Sequence, residues 1–197
     1  MAKIKVAITG GIGSGKSTVL FYLKELGYSV FSCDEIYKEV ISSQEYIDKI
    51  KEFFPEAVTH GRVERKILSE IVFNDVEKRA VLNGIAHPLI MQKLYERMDN
   101  CKNELVFAEV PLLFEGGFEN EFDHVMVITR KDEKRIASVQ ERDGISREKI
   151  EKRIQSQFDY SSKEGEARLK NCNAHIVEND GSTEILFSKL KELIVTF

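Results

Sequence analysis

The segment Gly10-Gly11-Ile12-Gly13-Ser14-Gly15-Lys16-Ser17 decides the fold of this chain. It fits the pattern G-x-x-x-x-G-K-[ST], in which glycines let successive backbone N–H groups turn toward one anion. A strand pattern precedes it, with Ile4, Val6 and Ile8 apolar, and a helical pattern runs from Ser17 to Leu26. A strand, a loop and a helix in this order predict a phosphate-binding loop (P-loop).

This loop predicts a nucleoside triphosphate, ATP, as a ligand. Lys16 is expected to reach the β and γ phosphates, and the Ser17 hydroxyl is expected to hold Mg²⁺. A dinucleotide-binding pattern, G-x-G-x-x-G, fits less well because it leaves Lys16 and Ser17 unexplained. The residues expected to bind ATP through this loop are Gly11, Ile12, Gly13, Ser14, Gly15, Lys16, Ser17 and Thr18.

Four more apolar stretches predict strands, at residues 28–31, 105–108, 125–128 and 174–178. Helical patterns separate them, and buried strands alternating with helices predict a parallel sheet covered on both faces. We therefore expect an α/β three-layer fold of the P-loop NTPase type, with a five-stranded parallel sheet. Helix-rich stretches outside this alternation predict two helical lobes beside the sheet.

Composition narrows the possible partners. The 197 residues carry a net charge of −4, which does not favour nucleic acid or an anionic membrane as a partner. No apolar run is long enough to cross a bilayer, the first residues lack a signal-peptide core, and the three cysteines lack metal-site or redox spacing. We expect a cytoplasmic protein, monomeric or weakly homo-oligomeric, that acts on a small molecule.

Other classes of P-loop protein fit less well. A GTPase should carry an N/T-K-x-D guanine motif, and a motor ATPase usually needs a longer chain and an Asp-Glu pair after its third strand. Neither feature is present. A short chain with lobes beside the sheet suits a kinase that closes over two substrates and excludes water.

Several segments resemble the dephospho-CoA kinase family, and the resemblance extends along the whole chain. In order, the matching segments are Thr9–Thr18, Gly61–Arg65, Leu82–Pro88, Val110–Glu115, Arg142–Asp143, Arg153–Gln157 and Asn179–Gly181. The resemblance implies ATP-dependent phosphorylation of the ribose 3′-hydroxyl of dephospho-CoA, with Mg²⁺, to give coenzyme A and ADP. The alternatives are another P-loop kinase, acting on a nucleoside or nucleotide, and a non-catalytic regulator that binds ATP.

The resemblance also implies how one domain, residues 1–197, is organised. The expected parts are a core at about 1–58, 103–129 and 172–197, a helical acceptor-binding lobe at about 59–102, and a lid at about 130–171.

On the acceptor side, Asp34 is the expected catalytic base. It follows the second strand at the carboxyl edge of the sheet, where ligands of open α/β sheets bind. It matches the second Asp of the family's Asp-Ala-Asp, whose first Asp is Ser32 here. A helix N-cap is the alternative for Asp34, and helix punctuation is the alternative for His87. The residues expected to bind the acceptor are Asp34, His87, Pro111, Leu112, Leu113, Phe114 and Glu115.

On the donor side, the resemblance assigns Arg142 to the ATP phosphates, so Lys16, Asp34 and Arg142 form the expected catalytic set. Arg135 lies seven residues earlier on the same helical face, and a solvated charge is the favoured interpretation there. The resemblance also places Asn179 and Gly181 at the nucleotide. Glu109, at the end of the third strand, is a candidate to hold Mg²⁺ through water.

Overall fold

The computed structural model describes residues 3–73 and 75–197. It divides into two compact units, one formed by Met1–Phe31 and Cys101–Phe197 and the other by Ser32–Asn100. The second unit begins well before residue 59, near which we predicted the start of the helical lobe. The strands are β1 (Ile4–Thr9), β2 (Ser29–Ser32), β3 (Val58–Thr59), β4 (Arg62–Val63), β5 (Leu105–Glu109), β6 (His124–Thr129) and β7 (Ala174–Glu178).

Helices alternate with these strands along the chain. They are α1 (Lys16–Glu25), α2 (Cys33–Val40), α3 (Gln44–Phe53), α4 (Arg65–Phe73), α5 (Val76–Asn100), α6 (Asp132–Asp143), α7 (Arg147–Gln155), α8 (Lys163–Asn171) and α9 (Thr183–Ile194). Short 3-10 helices occupy Pro55–Ala57 and Glu119–Glu121. Among the described residues, no helix combines the length and the apolar character needed to cross a bilayer.

The main sheet has the strand order β2-β5-β1-β6-β7. β1 pairs in parallel with β5 on one side and β6 on the other, and β6 pairs in parallel with β7. Crossover helices cover such a sheet on both faces, so its central strands are apolar along their length. Val125, Met126, Val127 and Ile128 of β6 are all buried, as that rule requires. The predicted α/β fold with a five-stranded parallel sheet is confirmed.

The core of the first unit lies between this sheet and helices α1 and α9. Val19 and Leu23 of α1 and Leu186 and Leu190 of α9 are buried in one hydrophobic cluster with the strands. The rings of Tyr22 and Phe187 stack with their centroids 4.0 Å apart, which joins the two helices. Packing on both sides of α1 fixes the helix at whose first turn the P-loop ends.

The second unit is helical, and α2, α3 and α4 all contact α5. Pro88 lies inside the 25-residue helix α5, so the interpretation of His87-Pro88 as a helix end was wrong. The N-cap interpretation of Asp34 was also wrong. Ser32 occupies the N-cap position, and Asp34 is the second residue of α2.

A two-stranded antiparallel hairpin, β3 with β4, interrupts the predicted helices of this unit. Its turn contains His60 and Gly61, both with positive φ. A glycine adopts a positive φ without strain, and a glycine in a short turn between two strands is a known sequence signal of a β-hairpin.

Candidate functional site

The P-loop connects β1 directly to α1, as predicted, and lies at the carboxyl ends of β1, β5 and β6. Gly15 precedes the first helical residue, Lys16, whose Nζ donates to the carbonyl oxygens of Gly10 at 2.7 Å and Gly11 at 3.3 Å. The N–H of Thr18 donates to the carbonyl oxygen of Gly15 at 3.1 Å, which starts the helix. The N-terminus of α1 therefore faces the loop, where its dipole favours an anion.

Two glycines of the P-loop lie close to helix α6, and at Gly13 this approach leaves no room for a side chain. Gly13 has φ 73°, and a Cβ there would lie 2.6 Å from the carbonyl oxygen of Arg135. A Cβ at Gly11 would lie 2.1 Å from a terminal guanidinium nitrogen of Arg135. A larger residue at Gly13 would push the loop and α6 apart, whereas at Gly11 the end of the Arg135 side chain would have to move.

Arg135 contacts the P-loop directly, so the interpretation of this residue as a solvated charge was wrong. Its side chain is only 14% exposed. Its Nε donates to the carbonyl oxygen of Ile12 at 2.9 Å, and Nη1 pairs with Asp132 at 2.9 Å. The seven-residue spacing to Arg142 places both arginines on one face of the helix. This spacing alone does not indicate which of the two arginines contacts the P-loop.

Arg142, the predicted lid arginine, has a different environment. It lies at the exposed end of α6, its side chain is 63% exposed, and both its Nε and Nη2 donate to the carboxylate of Asp143, at 2.7 and 2.8 Å. This pairing raises the pKa of Arg142 and lowers the pKa of Asp143. The guanidinium is accessible, and Asp143 is its hydrogen-bond partner in the structure.

Asn179 supports the P-loop from the other side. Its Nδ2 donates to the carbonyl oxygen of Ser14 at 2.9 Å, and its backbone N–H donates to Thr129 at 2.8 Å. A side chain on Gly15 would collide with this amide, since a Cβ there would lie 2.1 Å from Nδ2 of Asn179. Gly181 is exposed just before α9. Asn179 therefore bonds the loop backbone itself, a role that the sequence did not indicate.

Two residues that we expect to hold Mg²⁺, Ser17 and Glu109, lie at the same edge of the sheet. Ser17 is exposed in the first turn of α1, and Glu109 ends β5, opposite Ile8 of β1 in the strand register. Within the part of the chain that the structure describes, no three His, Cys, Asp or Glu side chains come together as a metal cluster. A hydroxyl and a carboxylate without further protein ligands fit Mg²⁺, which keeps several waters and binds substrate phosphates.

A cavity of about 540 Å³ lies beside the loop. Gly11, Ser14, Arg130, Arg135, Gln157 and Tyr160 are among the residues that line it. Arg130 Nε and Ser14 Oγ are buried atoms without a hydrogen-bond partner among the described residues. Burial raises the pKa of Tyr160 to about 12, so its hydroxyl stays protonated. The lining combines these donors with the carboxylates of Asp132 and Asp159, so the cavity suits a strongly polar ligand.

The predicted acceptor segment, Pro111–Glu115, follows β5 in the same unit. Leu113 and Phe114 are buried, whereas Leu112 and Glu115 are exposed. Only some of the predicted acceptor contacts therefore present side chains at the surface of this unit, and Leu113 and Phe114 fix the shape of the segment.

Asp34 and His87 belong to the helical unit. Asp34 is exposed in the first turn of α2, and burial lowers the pKa of the half-buried His87 in α5. This unit also contains a cavity of about 520 Å³ whose lining includes Arg62 and Arg65. Both arginines belong to a segment that the sequence singled out, but we had assigned them no role.

Comparisons with known proteins agree on one family. The family model described as dephospho-CoA kinase matches residues 4–184. A dephospho-CoA kinase of Thermus thermophilus is 36% identical over 191 residues, which cover 97% of this chain and 90% of that protein. One of Fusobacterium nucleatum is 35% identical over the full length of both chains. A crystal structure of a Thermus thermophilus protein superposes with a TM-score of 0.82 at 34% identity, covering 100% of this chain and 99% of the other.

Proposed function

The chain belongs to the dephospho-CoA kinase family, and from this premise we propose that it phosphorylates the ribose 3′-hydroxyl of dephospho-CoA. ATP is the phosphoryl donor, and the products are coenzyme A and ADP. The observation that carries this proposal is the family match over residues 4–184. That span includes the P-loop, the segment Pro111–Glu115 and the lid arginine Arg142.

On the donor side, the P-loop binds the triphosphate of ATP. Its backbone N–H groups and the N-terminus of α1 supply partial positive charge, and Lys16 supplies a full charge for the β and γ phosphates. Lys16 donates to the carbonyls of Gly10 and Gly11, so its ammonium already lies over the loop where the phosphates bind. The residues that bind ATP are those predicted from Gly11 to Thr18, with Asn179 and Gly181 beside them.

On the acceptor side, Asp34 receives the proton of the attacking hydroxyl. The ribose 3′-oxygen forms a bond to the γ-phosphorus, the bond from that phosphorus to the β–γ bridging oxygen breaks, and ADP leaves. The hydroxyl proton passes to the Asp34 carboxylate, which is exposed and sits in the first turn of α2. In this role the carboxylate orients the nucleophile and accepts its proton as the new bond forms.

Charge on the transferred group is neutralised by cations from several elements. Arg142 exchanges Asp143 for the phosphate oxygens, and its planar guanidinium suits two of them at once. Ser17 and, through water, Glu109 would hold Mg²⁺. When bound, Mg²⁺ would supply charge neutralisation at the β and γ phosphates.

The acceptor itself carries a diphosphate, which needs cationic partners. Arg62 and Arg65 line one cavity of the helical unit, and guanidinium groups recognise phosphate oxygens in pairs. We assign these arginines to the diphosphate of dephospho-CoA. His87, neutral at physiological pH because burial lowers its pKa, and Pro111–Glu115 complete the acceptor set. A cytoplasmic location and a monomeric or weakly associating state stay predictions from the sequence.

An acceptor panel tests this function against the alternatives. ADP release from Mg²⁺-ATP is measured with dephospho-CoA, nucleosides, nucleoside monophosphates or no acceptor. We expect release that dephospho-CoA stimulates at least tenfold over every other acceptor. A larger response to a nucleoside or nucleotide would identify a different small-molecule kinase. ATP binding without stimulated release by any acceptor would identify a non-catalytic regulator.

A further inference from the structure

Ile12, at the tip of the P-loop, is held by three contacts from the lid helices and the segment after them. Its N–H donates to Oε1 of Gln157 at 2.9 Å, and its carbonyl oxygen accepts from Nε of Arg135 at 2.9 Å. Its side chain packs against a hydrophobic cluster of α6 and α7. That cluster is formed by Ile136, Val139 and Ile150. Both backbone groups and the side chain of this one residue are therefore fixed from outside the loop.

Gln157 is the centre of this arrangement. Its Oε1 accepts from Nη2 of Arg135 at 3.2 Å as well as from the N–H of Ile12. One amide oxygen thus holds a loop donor and a lid cation at the same time. An acceptor with two donors and partial burial is expensive to remove, because each donor loses its partner.

The next residue, Phe158, holds the segment Pro111–Glu115. Its N–H donates to Oε1 of Glu115 at 3.0 Å, and its ring stacks on Phe114 with the centroids 4.7 Å apart and the planes 13° from parallel. Arg168 secures the same place. It donates to Glu119 and to the carbonyl oxygen of Phe114, each at 2.6 Å, and lies over both rings.

Two adjacent residues, Gln157 and Phe158, therefore form hydrogen bonds with the P-loop and with the segment Pro111–Glu115. We propose that Gln157 and Phe158 form a tie that sets the position of the P-loop relative to Pro111–Glu115, and that Gln157 is a positioning residue for phosphoryl transfer. This inference rests on the proposed function, because it assigns Pro111–Glu115 to the acceptor. Phosphoryl transfer depends on the alignment of donor and acceptor, and a 1 Å misplacement can lower a rate about 10²-fold.

Two substitutions at position 157 distinguish the loss of the Gln157 hydrogen bonds from a general loss of structure. Gln157→Met keeps the length of the side chain but removes the acceptor oxygen, whereas Gln157→Glu keeps that oxygen for both donors. We expect Gln157→Met to lower kcat about 10- to 100-fold with the KM for ATP within about threefold of wild type. Gln157→Glu should recover most of the loss. The matched control is Gln140→Met, at an exposed glutamine of α6, which should match wild type.

Hydrogen exchange tests the tie without any turnover. In Gln157→Met the Ile12 amide should exchange about fivefold faster, the effect of losing one hydrogen bond of ordinary strength. Glu115→Met removes the partner of the Phe158 N–H, and the tie predicts faster exchange at both Phe158 and Ile12. Unchanged exchange at Ile12 in both variants, each folded like wild type by circular dichroism, would overturn the proposal. A wild-type protein that makes no coenzyme A would refute the proposed function, while the exchange data would still decide the tie.

Discussion

Asp34 carries the residue-scale part of the mechanism. Asp34→Asn keeps the size and the hydrogen-bonding reach of the side chain but cannot accept the hydroxyl proton. We expect kcat to fall roughly 10²- to 10⁴-fold, the usual contribution of a general base, while ATP binding measured by calorimetry stays within about twofold. Undiminished turnover would remove Asp34 as the base.

Lys16→Ala is the matched control on the donor side. It removes the charge that lies over Gly10 and Gly11, so it should weaken ATP binding about 10- to 100-fold as well as abolish turnover. Both variants should turn over poorly, but only Lys16→Ala should bind ATP more weakly. This difference separates the role of Asp34 as a base from the role of Lys16 at the phosphates.

Some residues of the site could be predicted from the sequence, and others could not. The spacing of G-x-x-x-x-G-K-[ST] specified the loop, because backbone geometry and glycine content are local properties. The contacts of Arg135, Gln157 and Asn179 with the loop come from elements more than 100 residues away along the chain. No local pattern encodes which side chain of a lid helix reaches a distant carbonyl, and Arg135 was misinterpreted for that reason.

Among the elements, strands β6 and β7 contain a histidine pair that makes stability depend on pH. Nδ1 of His124 lies 3.2 Å from Nε2 of His175 and 2.9 Å from Nδ2 of Asn173. Burial and the neighbouring His124 lower the pKa of His175 from its ordinary value of 6.5.

A lowered pKa in the folded state means that the unfolded chain binds the proton more tightly. Stability is therefore complete above about pH 6.5 and is lost as the pH falls below that value. We expect the Tm to fall between about pH 7 and pH 5, and to fall less in His175→Gln, which keeps a donor for His124. His60→Asn, at an exposed turn residue of positive φ, is the control and should follow wild type. Equal pH dependence in all three proteins would contradict this account.

Helices and strands could be predicted from the sequence where the pattern that indicates them lies within the element itself. The apolar runs of β5 and β6 predicted strands close to the observed ones, since strands buried on both faces are nearly continuous in hydrophobicity. The hairpin β3–β4 has only two residues in each strand, too few for an alternating pattern. Pro88 has a strong local signal, because proline usually ends a helix. Tertiary contacts nevertheless allow α5 to continue past this residue, so the interpretation as a helix end was wrong.

At the scale of the whole molecule, the predicted lid and the sheet belong to one compact unit, whereas α2 and α3 belong to the helical unit with α5. Periodicity gave the helices but not which of them pack together, since packing depends on side chains distant in sequence. The donor site is built within the first unit, and Asp34 and His87 belong to the second. The family match spans both units, which is why it carries the function more directly than any single motif.

Mass detection of the product tests the central claim most directly. The protein is mixed with Mg²⁺-ATP and dephospho-CoA, with Asp34→Asn as the matched control. We expect coenzyme A and ADP in equal amounts from the wild-type protein and only traces from the variant. ADP without coenzyme A, or no turnover of dephospho-CoA by the folded wild-type protein, would contradict it.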